Sequence, residues 1–173
     1  MGDSNSSSLF GASSRRPAAP PRVRWMIQHD LCQVLSIEQA CFEYPWMEAE
    51  FVRVLRQQAC IGMVAEADED VAGYLIYELR KTSIEVLNIA VKPERQRQGI
   101  GREMLTHLTR RLSHPGRKWI TFQVGESNLP AQLFLRANGF RAARILRKSY
   151  QDSSEDAYLM HRVLALSQSG ATR

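Results

Sequence analysis

The chain has 173 residues, of which 44% are hydrophobic, enough for one globular domain with a sizeable core. No apolar run reaches the ~20 residues of a membrane span, and the opening MGDSNSSSLFGASSRRPAAPP has no apolar centre to make it a secretory signal. The formal charge of +5 suits a polyanionic ligand or an RNA-rich neighbourhood, but the arginines are not interleaved with aromatics, so direct nucleic-acid binding is not expected.

Residues 1–21, rich in Ser, Ala, Pro and Gly, read as a disordered tail. Their match to the loose M-G-x-x-x-[ST] acylation pattern carries little weight in a Ser-rich segment. The domain itself is expected over 22–165, with 166–173 as a second loose end. Val23–Ile27 reads as a first strand. Asp30 followed by Gln33 resembles a capping box that opens a helix to about Phe42. Phe51, Val52 and Leu55 mark a second helix after the Pro45–Trp46 break. IGMVAEA and VAGYLIYEL flank the turn DED as a hairpin.

Cys32, Cys41 and Cys60 show no C-x-x-C spacing, which argues against a disulfide framework and for a reducing cytoplasm. Cys32 and Cys41 fall in the first helical pattern and read as small core residues. His29, His107, His114 and His161 have no ligand-pair spacing, so no metal is expected.

The stretch SIEVLNIAV predicts a strand over 84–91, with Glu85, Leu87, Ile89 and Val91 on one face and Val86, Asn88 and Ala90 on the other. A helix over 100–112 follows, carried by Met104, Leu105, Leu108 and Leu112. WITFQV reads as the fifth strand, and PAQLFLRAN as a helix closed by Asn138–Gly139. FRAARILRK and DAYLMHRVL end the chain as a strand pair.

Between strand and helix lies VKPERQRQGIGREML. The first N–H groups of a helix lack internal partners, and the helix dipole makes that end partly positive. Gly99 and Gly101 allow close approach to the backbone, and Arg95, Arg97 and Arg102 add permanent charge. Such a turn can be a phosphate or pyrophosphate site, or merely a tight turn with a solvated basic face. It matches neither G-x-x-x-x-G-K-[ST] nor G-x-G-x-x-G.

R-Q-R-Q-G-I-G-R after LNIAV resembles the acetyl-CoA-binding motif of the GNAT acetyltransferases, and within them the bacterial ribosomal-protein N-terminal acetyltransferases of the RimI type. The resemblance covers roughly 22–164 and also includes EYPWMEAEF at 43–51, ESNLPAQLFLRANGF at 126–140 and RKSYQDSSEDAYLM at 147–160. It implies an α/β GNAT fold of order β-α-α-β-β-β-α-β-α-β-β, with a mixed, mostly antiparallel sheet and helices on both faces. Two adjacent strands are implied to splay apart and admit the thioester.

The resemblance also implies a site. Ile89, Ala90 and Val91 would hold the pantetheine arm of acetyl-CoA. The amides of Arg97, Gln98, Gly99, Ile100, Gly101 and Arg102 would hold its pyrophosphate, and Asn128 its sulfur end, unless Asn128 caps the helix beginning near Pro130. Tyr44 and Trp46 would form one wall of an acceptor groove and Tyr150 the other, with core packing the alternative for Trp46. The sequence departs from the family at the catalytic pair. The position of the family's glutamate base holds Gln123, and that of its tyrosine acid holds Leu135. Glu85 stands where other GNAT members place a base, or is simply an exposed carboxylate. An α-amine has a pKa of ~7.7–8.0 against ~10.4 for lysine, so near pH 7.5 about a third of N-termini are already neutral and only about one lysine in a thousand. Losing the acid–base pair therefore favours the α-amine of a protein, such as a ribosomal protein, as acceptor. A GNAT enzyme for a small amine and a non-catalytic acyl-CoA-binding protein are the alternatives.

Overall fold

A computed structural model describes residues 20–111, 116–147 and 156–163. The strands are β1 (Arg22–Trp25), β2 (Cys60–Ala67), β3 (Asp70–Leu79), β4 (Ser83–Val91), β5 (Trp119–Gly125), β6 (Arg141–Leu146) and β7 (Ala157–Val163). The helices are α1 (Leu31–Cys41), α2 (Glu48–Leu55), α3 (Ile100–Arg111) and α4 (Leu129–Ala137), with short 3-10 turns at Gln28–Asp30 and Pro93–Arg95. This is the expected order of elements. One sheet runs β1-β2-β3-β4-β5-β7-β6, antiparallel throughout except for the parallel pair β4–β5.

Central position explains the apolar run VAGYLIY. β3 lies between β2 and β4 with helices over both faces, so Val71 through Tyr77 are all buried and no alternation survives. On one face, Ile100, Met104, Leu105 and Leu108 of α3 and Leu135 of α4 pack against Leu75, Ile84, Val86, Ile120 and Phe122. On the other, Val34 and Ile37 of α1 and Phe51 and Val54 of α2 pack against Val64, Tyr74 and Ile76. Phe51 is fully buried, a side chain whose burial contributes about 1.5–3 kcal/mol.

Three local expectations shift. The hairpin loop is tighter than DED: Asp70 pairs with Ala67, leaving Asp68 and Glu69 at φ 53° and 68°, as a two-residue type I′ turn requires. Cys32 is exposed, not a core residue; Cys41 is half-buried and Cys60 buried. Asp30 and Gln33 form no capping box. Gln33 Oε1 accepts from the Val71 N–H at 3.0 Å, and the Asp30 carboxylate accepts from the Ile27 N–H at 2.8 Å and from both terminal nitrogens of Arg24 at 2.7 Å.

Asp30 is 3% exposed, and the hydrogen bonds from Arg24 hold its carboxyl below the ordinary carboxylate value. A depressed folded-state value gives stability that is present above the unfolded value of ~3.9 and is lost as pH falls through the folded one. Asp30→Asn should therefore cost about 2 kcal/mol in urea unfolding at pH 7. The difference from wild type should shrink steadily below about pH 4; a difference that persists unchanged into acid would show that the charge is not its source.

Candidate active site

The site begins with a fault in β4. Ile76 pairs with Asn88 and Tyr77 with Val86, so Leu87 has no partner and bulges from the β3 ladder. The extra residue resets the alternation. Ile84 and Val86 pack toward α3 with Ile89 and Val91, whereas Leu87 and Ala90 pack toward α1 and α2. Glu85 and Leu87 thus share a face with Asn88 and Ala90, and not with Ile89 as simple alternation predicts. The β4–β5 ladder ends at the same level, with Val86 opposite Phe122, although β4 runs on to Val91 and β5 to Gly125. Beyond the bulge, the edge of β4 that carries Ile89, Ala90 and Val91 has no β5 partner.

The turn after β4 leads into α3. Between Gln96 and Glu103 no backbone N–H finds a backbone acceptor among the described residues; Glu103 donates to the Gly99 carbonyl at 2.9 Å and closes the first helical turn. The amides of Arg97 to Arg102 are thus available at a helix N-terminus. Arg97 (φ 59°) and Gly99 (φ 85°) are left-handed, and a Cβ on Gly99 would meet nothing within 4 Å. Gly101 is different: a Cβ there would lie 3.0 Å from the Phe134 ring, so this glycine lets α3 approach α4. Arg95 is engaged by Asp68 at 2.8 Å. Arg97 and Arg102 are exposed and have no ion-pair partner among the described residues.

Glu85 and Gln123 come together. Gln123 Nε2 donates to Glu85 Oε1 at 3.2 Å, while Arg80, which also pairs with Glu78, lies 3.0 Å from Glu85 Oε2. Glu85 pairs with Thr121, one level before the ladder ends at Val86 and Phe122, and Gln123 is the first β5 residue beyond that end. Leu135 is 2% exposed and its side chain packs in the α3–α4 core. Asn128 does cap α4, its Oδ1 accepting from the Ala131 N–H at 3.0 Å.

The sequence pattern of the acetyltransferase (GNAT) family matches residues 31–140. The chain belongs to the GNAT acetyltransferases. GNAT enzymes use acetyl-CoA, and this one is an N-acetyltransferase. It is 32% identical over 133 residues to the ribosomal protein bS18-alanine N-acetyltransferase of Escherichia coli K12, a match covering 76% of this chain and 89% of the relative. An N-alpha-acetyltransferase of Sulfurisphaera tokodaii is 28% identical over 152 residues, covering 80% and 90%. The crystal structure of the E. coli S18-alanine N-acetyltransferase superposes with a TM-score of 0.76 at 27% identity, over 88% of this chain and 99% of that one. Arabidopsis thaliana NAA60, solved with a bisubstrate analogue, shares the GNAT fold at a TM-score of 0.72 and 18% identity, over 85% and 99%.

Tyr44, on the α1–α2 loop, is 85% exposed. Trp46 is half-buried and set edge-on against Phe51 with ring centroids 5.4 Å apart, so core packing accounts for part of its indole. Tyr150 lies outside the described residues. Among those residues, no three His, Cys, Asp or Glu gather as a metal site, and no helix is long and apolar enough to cross a membrane. One cluster was missed from sequence. Glu38, 1% exposed, accepts from the Trp46 N–H at 2.8 Å, from Asn88 Nδ2 at 3.2 Å and from the Tyr74 hydroxyl. A glutamate among Val34, Ile37 and Cys41, on the buried stripe of α1, was the available signal.

Proposed function

We propose that this GNAT enzyme acetylates the α-amine of a protein N-terminus in the cytoplasm, with acetyl-CoA as donor and a ribosomal protein as the first acceptor to test. The observation that carries the reading is the catalytic pair, an amide at Gln123 and a buried leucine at Leu135. Neither side chain can exchange a proton at neutral pH. An acceptor of which about a third is already neutral near pH 7.5 suits such a site, and lysine does not. The named activities of the two relatives point the same way.

The residues present fit acetyl-CoA. The free amides of Arg97 to Arg102, with open space above Gly99, suit a pyrophosphate, and Arg97 and Arg102 add charge. Ile89, Ala90 and Val91 offer an unpaired strand edge to an extended amide chain, and Asn128 can serve the sulfur end through the amide group not used in its cap. Bound acetyl-CoA supplies an acetyl group activated as a thioester. On the acceptor side, Tyr44, Trp46 and Tyr150 would hold the first residues of the peptide. Glu85, oriented by Gln123 and Arg80, would take a proton from the residual ammonium through water.

The test is turnover of an Ala-initiated peptide against the same peptide with a blocked N-terminus and a free lysine. Acetylation of the α-amine alone is expected. Turnover only of small free amines would give first place to a small-molecule enzyme, and binding without any turnover to an acyl-CoA-binding protein.

A further inference from the structure

The Glu38 cluster joins two parts of the site that lie far apart in sequence. Asn88 belongs to the bulged stretch of β4, just before the strand edge proposed for the cofactor arm. The Trp46 N–H belongs to the α1–α2 loop proposed as the acceptor wall. Both donate to one carboxylate on the last turns of α1. A few residues on, the Cys41 thiol donates to the Val91 carbonyl at 3.3 Å, and burial pushes that thiol's pKa up, which keeps the donor proton in place. Burial, and then the bond to Glu38, likewise raise the Tyr74 phenol. Among the described residues the carboxylate has no cationic partner and is held by neutral donors alone. Such a buried group is costly unless every donor is well placed, so it fixes the relative position of the elements supplying them.

We propose that Glu38 is a positioning residue of the transfer reaction: through the Trp46 amide and Asn88 it sets the acceptor loop at a fixed distance from the bulged strand β4. This rests on the acetyl-transfer reading above. Glu38 itself is too buried to touch an incoming amine, and its effect falls on the acceptor loop that it holds through the Trp46 N–H, not on the anion-binding turn that follows β4.

Glu38→Gln is the main test. An amide keeps one acceptor oxygen where the carboxylate has two, and its NH2 would face either the Trp46 N–H or the Asn88 and Tyr74 side, so at least one of the present bonds is lost. Hydrogen exchange over residues 42–47 should accelerate, and KM for an Ala-initiated peptide should rise about tenfold, as expected when the loop that would bind the acceptor is no longer held in place. The dissociation constant for acetyl-CoA should stay within about twofold of wild type. A merely structural role predicts a lower unfolding temperature with unchanged acceptor KM. Tyr74→Phe removes one donor while keeping the buried ring, and should show the same pattern at about threefold, which covers failure of the first variant to fold. Wild-type loop exchange and acceptor KM in a folded variant would overturn the proposal, as would acetyl-CoA affinity falling in step with KM. If wild type turns over no acceptor, the acetylation reading fails on its own, and loop exchange still judges the role of Glu38.

Discussion

Gly99→Asp should weaken acetyl-CoA binding by at least about 10²-fold, while Gly99→Asn keeps most of it. Both side chains tolerate the left-handed backbone at φ 85° better than other residues, and both enter space that is open to 4 Å. Backbone strain is thus nearly matched, and charge separates the pair. One unit charge ~5 Å from another costs about 3 kcal/mol at an effective dielectric of ~20, roughly 10²-fold in affinity, and a pyrophosphate carries more than one charge. Gly101 is the poorer probe, because any side chain there meets the Phe134 ring at 3.0 Å and disturbs α3–α4 packing. Calorimetry on the two Gly99 variants decides the matter. Equal affinities would mean that the pyrophosphate does not lie on this turn.

Glu85→Gln should cut kcat by about 10²-fold near neutral pH, the low end of the ~10²–10⁴ that a general base contributes, because an α-amine supplies its own neutral fraction. The deficit should shrink as pH rises through the amine's range of ~7.7–8.0. Gln123→Glu should raise activity near neutrality by restoring the family's base. It would also place a carboxylate where Gln123 Nε2 now lies 3.2 Å from Glu85 Oε1. Two carboxylates so close share a proton, so the pH–rate profile should report a coupled pair. A silent Glu85→Gln, beside a wild type that turns over well, would mean that the base lies elsewhere or that none is needed.

The turn at 95–102 was legible because its signals are local: a strand end, two glycines and the apolar spacing of α3. So were the hairpin, the order of elements and the helix stop at Gly139, which is left-handed at φ 83°. The faces of β4 were not. The bulge at Leu87 is set by register against Ile76 and Tyr77, and nothing within SIEVLNIAV announces it. The role of Asp30 was hidden for the same reason, since its carboxylate is taken by Arg24 from β1. Glu38 finds its partners on β3 and β4, at sequence separations of 36 and 50, beyond the reach of any local pattern. The substitutions at Gln123 and Leu135 were visible at once, but only the structure shows Leu135 sealed in the core and Gln123 hydrogen-bonded to Glu85.

The central claim is transfer to an α-amine, and product mapping tests it most directly. The enzyme is incubated with acetyl-CoA and an Ala-initiated peptide that also carries an internal lysine, and the acetylated product is fragmented in a mass spectrometer. The acetyl group should sit on the N-terminal alanine, with the lysine unmodified at pH 7.5. Acetyl on the lysine alone, or no acetylated peptide while acetyl-CoA still binds, would contradict the account.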